Sequence, residues 1–259
     1  MTNILLIGGF GTGKTTQFNT LKGKKAAYLF DPSAGESLRT EVEVLDFQPG
    51  GGDLDIMPRS VRKGGRVEKD KSDQPYDPQL YVRWANDLEE REANGYFKDV
   101  DWLLVDGMTL LSKALIDRIT FLQEKIGSED GRTDYQLAGT RFSNCMRRIT
   151  ALPCNTLITG HQQKRQDQLT QRIENELLLP GSARGLVPLL FGHIFVTKCV
   201  VDKDKAPRWV VQTVPDRENP TVRTTLQGLD FEHDVTVEDF SKPTEYGLGK
   251  LLHNLKKDN

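Results

Sequence analysis

The sequence predicts an α/β fold in which a mostly parallel sheet is flanked by helices and closed by an antiparallel hairpin. Three observations predict it. Short apolar runs alternate with longer stretches of helical periodicity along the 259 residues, the pattern of parallel strands with helices on both faces. The first run, Ile4-Leu5-Leu6-Ile7, leads directly into Gly8-Gly9-Phe10-Gly11-Thr12-Gly13-Lys14-Thr15, which fits the P-loop pattern G-x-x-x-x-G-K-[ST] between a strand and a helix. Two later runs, about 193–202 and 207–214, are parted only by Asp202-Lys203-Asp204-Lys205 and read as a closing hairpin.

The elements follow in order. Residues 3–8 read as a strand, 14–22 as a helix and Lys25 to Asp31 as a second strand, broken by Pro32-Ser33-Ala34-Gly35. Val42 to Phe47 is a short third strand. From 48 to 78 the composition changes: Pro49-Gly50-Gly51-Gly52, Gly64-Gly65 and Pro75 surround Arg59, Arg62, Lys63, Arg66, Lys69 and Lys71. So long a stretch without apolar periodicity reads as a basic insertion or loop that has room for a small hairpin. Asp77-Pro78 opens a helix to about Asn94, with Leu80, Trp84 and Leu88 on one face and Gly95 as its stop. Asp101 to Asp106 is a buried strand ending in a carboxylate. Helices are expected at about 109–126 and 135–152, the second with Ala138, Phe142, Cys145, Ile149 and Leu152 at helical spacing. Cys154 to Gly160 is the next strand, and residues 161–180 read as a polar loop followed by a short helix from Ser182. The domain is placed at 1–228, with 229–259 as a tail that is acidic and then helical from about Glu245.

In the P-loop each residue type has a physical task. Glycines, with Gly11 and Gly13 as the tightest positions, let successive N–H groups converge on phosphate oxygens. Gly8, Gly9, Phe10 and Thr12 complete the cradle, Lys14 carries a charge to the β and γ phosphates, the Thr15 hydroxyl suits Mg2+, and Thr16 adds an α-phosphate contact. Asp106 is the natural second metal residue opposite Thr15, although an Asp before Gly is also a turn former. Asp31 and Glu36 compete for the carboxylate that orients the attacking water, Glu36 being preferred for its reach; Asp31 equally suits a solvated turn. In Thr159-Gly160-His161-Gln162, His161 or Gln162 is a candidate sensor of the γ phosphate, against the plainer reading of polar side chains in a loop facing solvent.

Composition limits the partners. With 35 basic and 37 acidic residues the net charge is −2, so any nucleic-acid contact must be local. Lys164, Arg165, Arg172 and Arg184 could neutralise DNA phosphates, diluted by Asp167, Glu174 and Glu176; the loop also reads as a solvated charged surface. Cys145, Cys154 and Cys199 lack zinc-site spacing and are expected to be reduced core thiols. Polar residues interrupt every apolar stretch short of a membrane span, which predicts a soluble, intracellular protein with no membrane partner.

The order of P-loop, strand-ending Asp31, Asp106-Gly107-Met108-Thr109, Thr159-Gly160-His161-Gln162 and closing hairpin resembles the RecA-like P-loop NTPase core over about residues 3–225. More narrowly it is similar to compact phage ATPases of single-strand annealing and recombination. That resemblance implies ATP and Mg2+ as cofactors, ATP hydrolysis at interfaces of a homo-oligomer, and single-stranded DNA held by loops after the Asp106 and His161 strands. It further implies a basic finger from a neighbour, matched here by Arg217, and a cytoplasmic location, the host cytoplasm for a phage-encoded chain. Val214 stands at the position of a second basic finger residue, and Pro32-Ser33 where the acidic base would fall. Two other functions fit the P-loop: a small-molecule or nucleotide kinase with residues 59–71 as its lid, and a nucleotide-gated loader or assembly protein with little turnover. A GTP switch is disfavoured because N-K-x-D is missing.

Overall fold

The computed structural model describes residues 1–48, 60–63, 66–69, 77–123, 132–166, 171–201 and 206–257. Its centre is a sheet of nine strands among these residues. The strands are β1 (Asn3–Gly8), β2 (Lys25–Leu29), β3 (Glu43–Asp46), β6 (Trp102–Asp106), β7 (Asn155–Gln166), β8 (Ile173–Leu177), β9 (His193–Val200), β10 (Arg208–Gln212) and β11 (Glu232–Asp234). The order is β11-β10-β9-β1-β7-β6-β2-β3, with β8 paired to β7 off this path. From β9 to β3 every neighbouring pair is parallel; β10 and β11 close one edge antiparallel. A separate two-stranded hairpin, β4 (Ser60–Lys63) and β5 (Arg66–Lys69), lies in the basic stretch, matching the small hairpin allowed for there. Arg59, Lys71 and the Gly-rich parts of that stretch lie outside the described residues.

Both faces of the sheet are covered, which is why its central strands read as continuous apolar runs. Successive side chains alternate between faces. Leu5 and Ile7 of β1 join the core under helices α1 (Leu80–Ala93), α2 (Met108–Leu122) and α3 (Arg132–Thr150), with Trp84, Leu115 and Phe142. Ile4 and Leu6 point the other way, against Phe18, Phe195 and Leu248. A four-residue α4 (Ala183–Leu186) follows Ser182, as the sequence predicts.

Three departures from the expected elements bear on function. The helix after the P-loop is a 3-10 run over Thr15–Thr20, shorter than 14–22. Its own side chains compete for its carbonyls: Asn19 Nδ2 donates to Thr16 O at 3.0 Å and Thr20 Oγ1 to Gln17 O at 2.7 Å, local bonds that draw backbone acceptors out of a regular α ladder. Second, the polar loop predicted for 161–180 is largely a β-hairpin: β7 runs on to Gln166 and pairs antiparallel with β8, Lys164 opposite Asn175 and Arg165 opposite Glu174. Third, the segment expected to trail the domain packs into it. β11 extends the sheet, and helix α5 (Gly247–Lys257) lies on the P-loop's 3-10 run, burying Leu248 and Leu252. The Gln17 amide ties the two together: its Nε2 donates to Val235 O at 2.9 Å, and its Oε1 accepts from Leu248 N–H at 2.9 Å.

Candidate nucleotide site

The P-loop joins β1 to the 3-10 run and forms one wall of a cavity of about 700 Å³, within the usual size of a ligand pocket. Gly11 and Gly13 hold φ of 69° and 80°, the left-handed values that glycine adopts without strain. The loop is braced from β9 and β10. Thr197 Oγ1 lies 2.8 Å from Thr12 Oγ1, and the Trp209 indole N–H donates to Gly11 O at 3.1 Å. Neither bracing residue was visible in the sequence, because the contacts span 185 and 198 positions.

Lys14 is buried, its ammonium donating to Gly8 O at 3.1 Å and Gly9 O at 2.6 Å. Burial lowers its pKa, while the negative charges of Asp106 and Asp31 oppose that shift. The strand order explains the rest of the site. β7 lies between β1 and β6, and Thr159, level with the ends of those two strands, falls between the P-loop and Asp106. Asp106 Oδ1 accepts from Thr15 Oγ1 at 2.9 Å and from Thr159 Oγ1 at 2.7 Å, and Thr159 Oγ1 in turn accepts from Gly107 N–H at 2.9 Å. Burial raises the Asp106 pKa, opposed by the Thr159 and Thr15 hydroxyls, with Asp31 adding to the rise and Lys14 countering it. A buried carboxylate touching a threonine hydroxyl beside a phosphate cradle fits Mg2+, which takes one or two protein oxygens and fills its shell with phosphate and water. Thr159 was singled out in the sequence only as part of its motif; its bond to Asp106 is the added finding.

The structure separates the two candidate bases. Asp31 lines the cavity, whereas Glu36 is exposed on the outer side of a 3-10 turn over Ala34–Ser37 and is absent from the lining. Strand alternation separates His161 from Gln162 in the same way. His161 lines the cavity, its ring tilted by 35° against that of Phe10 with centroids 4.4 Å apart, and its Nδ1 is buried with no hydrogen-bond partner among the described residues. Burial first, and then the Lys14 charge, lower its pKa, which keeps the ring neutral at pH 7. Gln162 turns away and donates to Asn219 Oδ1 at 3.2 Å.

Arg217 is exposed in a turn after β10, where Asp216 Oδ1 accepts from Glu218 N–H at 3.0 Å and Asn219 N–H at 2.6 Å. It has no partner among the described residues and does not line this chain's own cavity. Among the basic residues predicted for DNA, Arg165 and Arg184 both bind Glu176, at 3.2 and 2.8 Å. Burial would raise the Glu176 pKa, but bonds from Arg184, Arg165 and Gln163 outweigh it and lower the value. Lys164 and Arg172 are exposed on the hairpin. Of the cysteines, Cys154 is buried and Cys145 half-buried, but Cys199 is exposed on β9, which corrects the expectation of three core thiols: its strand position points out of the sheet's packed region.

This fold and site define a P-loop ATPase-type domain. The family model described as an AAA domain matches residues 2–190, and the chain belongs to that family. Comparison with curated proteins finds no match. Among the described residues, no helix is long and apolar enough to cross a membrane.

Proposed function

We propose that this protein is a Mg-dependent ATP hydrolase whose nucleotide state drives a DNA transaction, of the kind carried out by RecA-like phage ATPases in single-strand annealing or recombination. The observation that carries the hydrolase reading is the Thr15–Asp106–Thr159 chain of hydrogen bonds beneath the P-loop, with Asp31 and His161 lining the same cavity. Lys14 leaves the Gly8 and Gly9 carbonyls for the β and γ phosphates. Thr15 and Asp106 would hold Mg2+, which would neutralise charge on those phosphates. Thr159 acts as a positioning residue, fixing the Asp106 carboxylate. Asp31 accepts the proton of the attacking water, and the His161 ring, which lines the same cavity, senses the γ phosphate. Arg217 reaches the site of a neighbouring copy in a homo-oligomer. The DNA part rests on the resemblance and on the exposed Lys164 of the β7–β8 hairpin.

Steady-state ATP hydrolysis with Mg2+, with and without single-stranded DNA at two salt concentrations, tests both parts. Stimulation that fades with salt is the expected result. Turnover indifferent to DNA would remove the DNA part, and turnover requiring a nucleoside monophosphate acceptor would replace it with a kinase.

Asp106→Asn separates activity from folding. The folded-state pKa of Asp106 lies above the unfolded one, so this group's contribution to stability declines as pH rises through the carboxylate range, and at neutral pH it opposes folding. An amide still accepts from both threonines. The variant should therefore melt no lower than wild type while losing about a hundredfold or more in Mg-dependent turnover. Unchanged metal dependence would move the metal role away from Asp106.

A further inference from the structure

We propose that the part of the cavity beyond the phosphate cradle is a stacking subsite for the nucleotide's purine base, built on Phe240 and Arg39. This deepens the nucleotide reading above and rests on it. The P-loop accounts for the polar half of the cavity, but the same space is also lined by Trp209, Val235, Val237, Phe240 and Arg39. An apolar wall offers phosphates nothing and would strip them of water, whereas a flat heterocycle gains by burial there. The two halves are in fixed relation. Gln17, which lines the cavity just past Thr16, holds Val235 O at 2.9 Å, so the segment from Val235 to Phe240 is anchored to the end of the loop from which a nucleoside would leave.

The stacking surface is already formed. The Arg39 guanidinium lies over the Phe240 ring at 4.3 Å from its centroid. An aromatic ring and a guanidinium plane are the two side-chain surfaces on which bases stack, and a purine extends such a stack with more overlap than a pyrimidine. Trp209 has its indole N–H engaged with Gly11 O, so its side chain presents the cavity with ring surface. Trp209, Val235, Val237 and Phe240 all lie beyond residues 2–190, the stretch matched by the family model. The base is therefore read jointly by Arg39, inside that stretch, and by residues that follow it.

The test is calorimetric binding of ATP, CTP and inorganic tripolyphosphate, each with Mg2+, to the full-length wild type, Phe240→Leu and Phe240→Trp. Leucine keeps an apolar side chain of useful volume without a π face, and tryptophan restores one. The expected result is about a tenfold loss of ATP affinity in Phe240→Leu, recovered in Phe240→Trp, with tripolyphosphate binding unchanged in both. Wild type should also bind ATP more tightly than CTP. ATP affinity unmoved by Phe240→Leu, or tripolyphosphate falling in parallel with ATP, would overturn the subsite while leaving the phosphate cradle standing. If wild type binds neither ATP nor tripolyphosphate, the nucleotide reading itself fails and takes the subsite with it.

Discussion

Lys14→Ala is expected to lower kcat/KM for ATP by at least about a hundredfold, the usual effect of deleting a preorganised charge aimed at a transferring phosphoryl group. The structure gives this variant a second, separable expectation. The Lys14 ammonium is held in a buried loop where desolvation lowers its pKa despite Asp106 and Asp31 nearby. A lysine whose folded-state pKa is depressed binds its proton more weakly in the native than in the unfolded chain, so below its ordinary pKa its charge opposes folding. Removing it also leaves the Gly8 and Gly9 carbonyls without this donor, a loss of opposite sign and of order 1 kcal/mol. The two effects oppose each other, so the melting temperature should change far less than turnover. Measuring both on one preparation distinguishes loss of a functional charge from loss of the fold. Full activity would sink the assignment of the phosphate site.

What could be read without coordinates was whatever the chain writes locally. The P-loop occupies eight consecutive residues and Asp106 closes an apolar strand, so neither needs a distant partner to be recognised. The choice between Asp31 and Glu36 was not legible, because it depends on which way a four-residue turn presents its side chains. Nor was the β7–β8 hairpin. Its strands are polar, and its register rests on cross-strand partners such as Gln163 with Glu176, a pairing that composition renders as a charged loop. Thr197, Trp209 and Phe240 reach the site only because the sheet folds distant segments against the P-loop. The C-terminal segment misled for a related reason. Its apolar content is sparse, and its docking depends on single residues, Leu248 and Leu252, and on backbone donors that no hydrophobic pattern records.

That docking leads to the largest stability effect expected from a single methyl group. At Gly249 the backbone of α5 comes so close to the P-loop's 3-10 run that an added Cβ would lie 2.6 Å from the Thr20 carbonyl carbon and nearer still to its oxygen. Gly249 N–H also donates to Thr20 Oγ1 at 2.8 Å, so the two backbones cannot part to admit a methyl without losing this bond and the one between Leu248 N–H and Gln17. A backbone carbonyl has no rotamer to move to, unlike the end of a side chain. Gly249→Ala should therefore destabilise by about 2–3 kcal/mol, at the upper end for overpacking, even though alanine is the better helix former by about 1 kcal/mol. Chemical denaturation checks this, with Gly185→Ala as the control, since a methyl there meets open space in α4. The consequence extends to the site. The same contact backs Gln17 and Thr20, one turn from Lys14 and Thr15, so the variant should also bind ATP more weakly under conditions where it remains folded. Wild-type stability in Gly249→Ala would mean that α5 does not lie on the P-loop's 3-10 run in solution. Lost stability with unchanged ATP affinity would mean that the helix supports the fold without shaping the phosphate cradle.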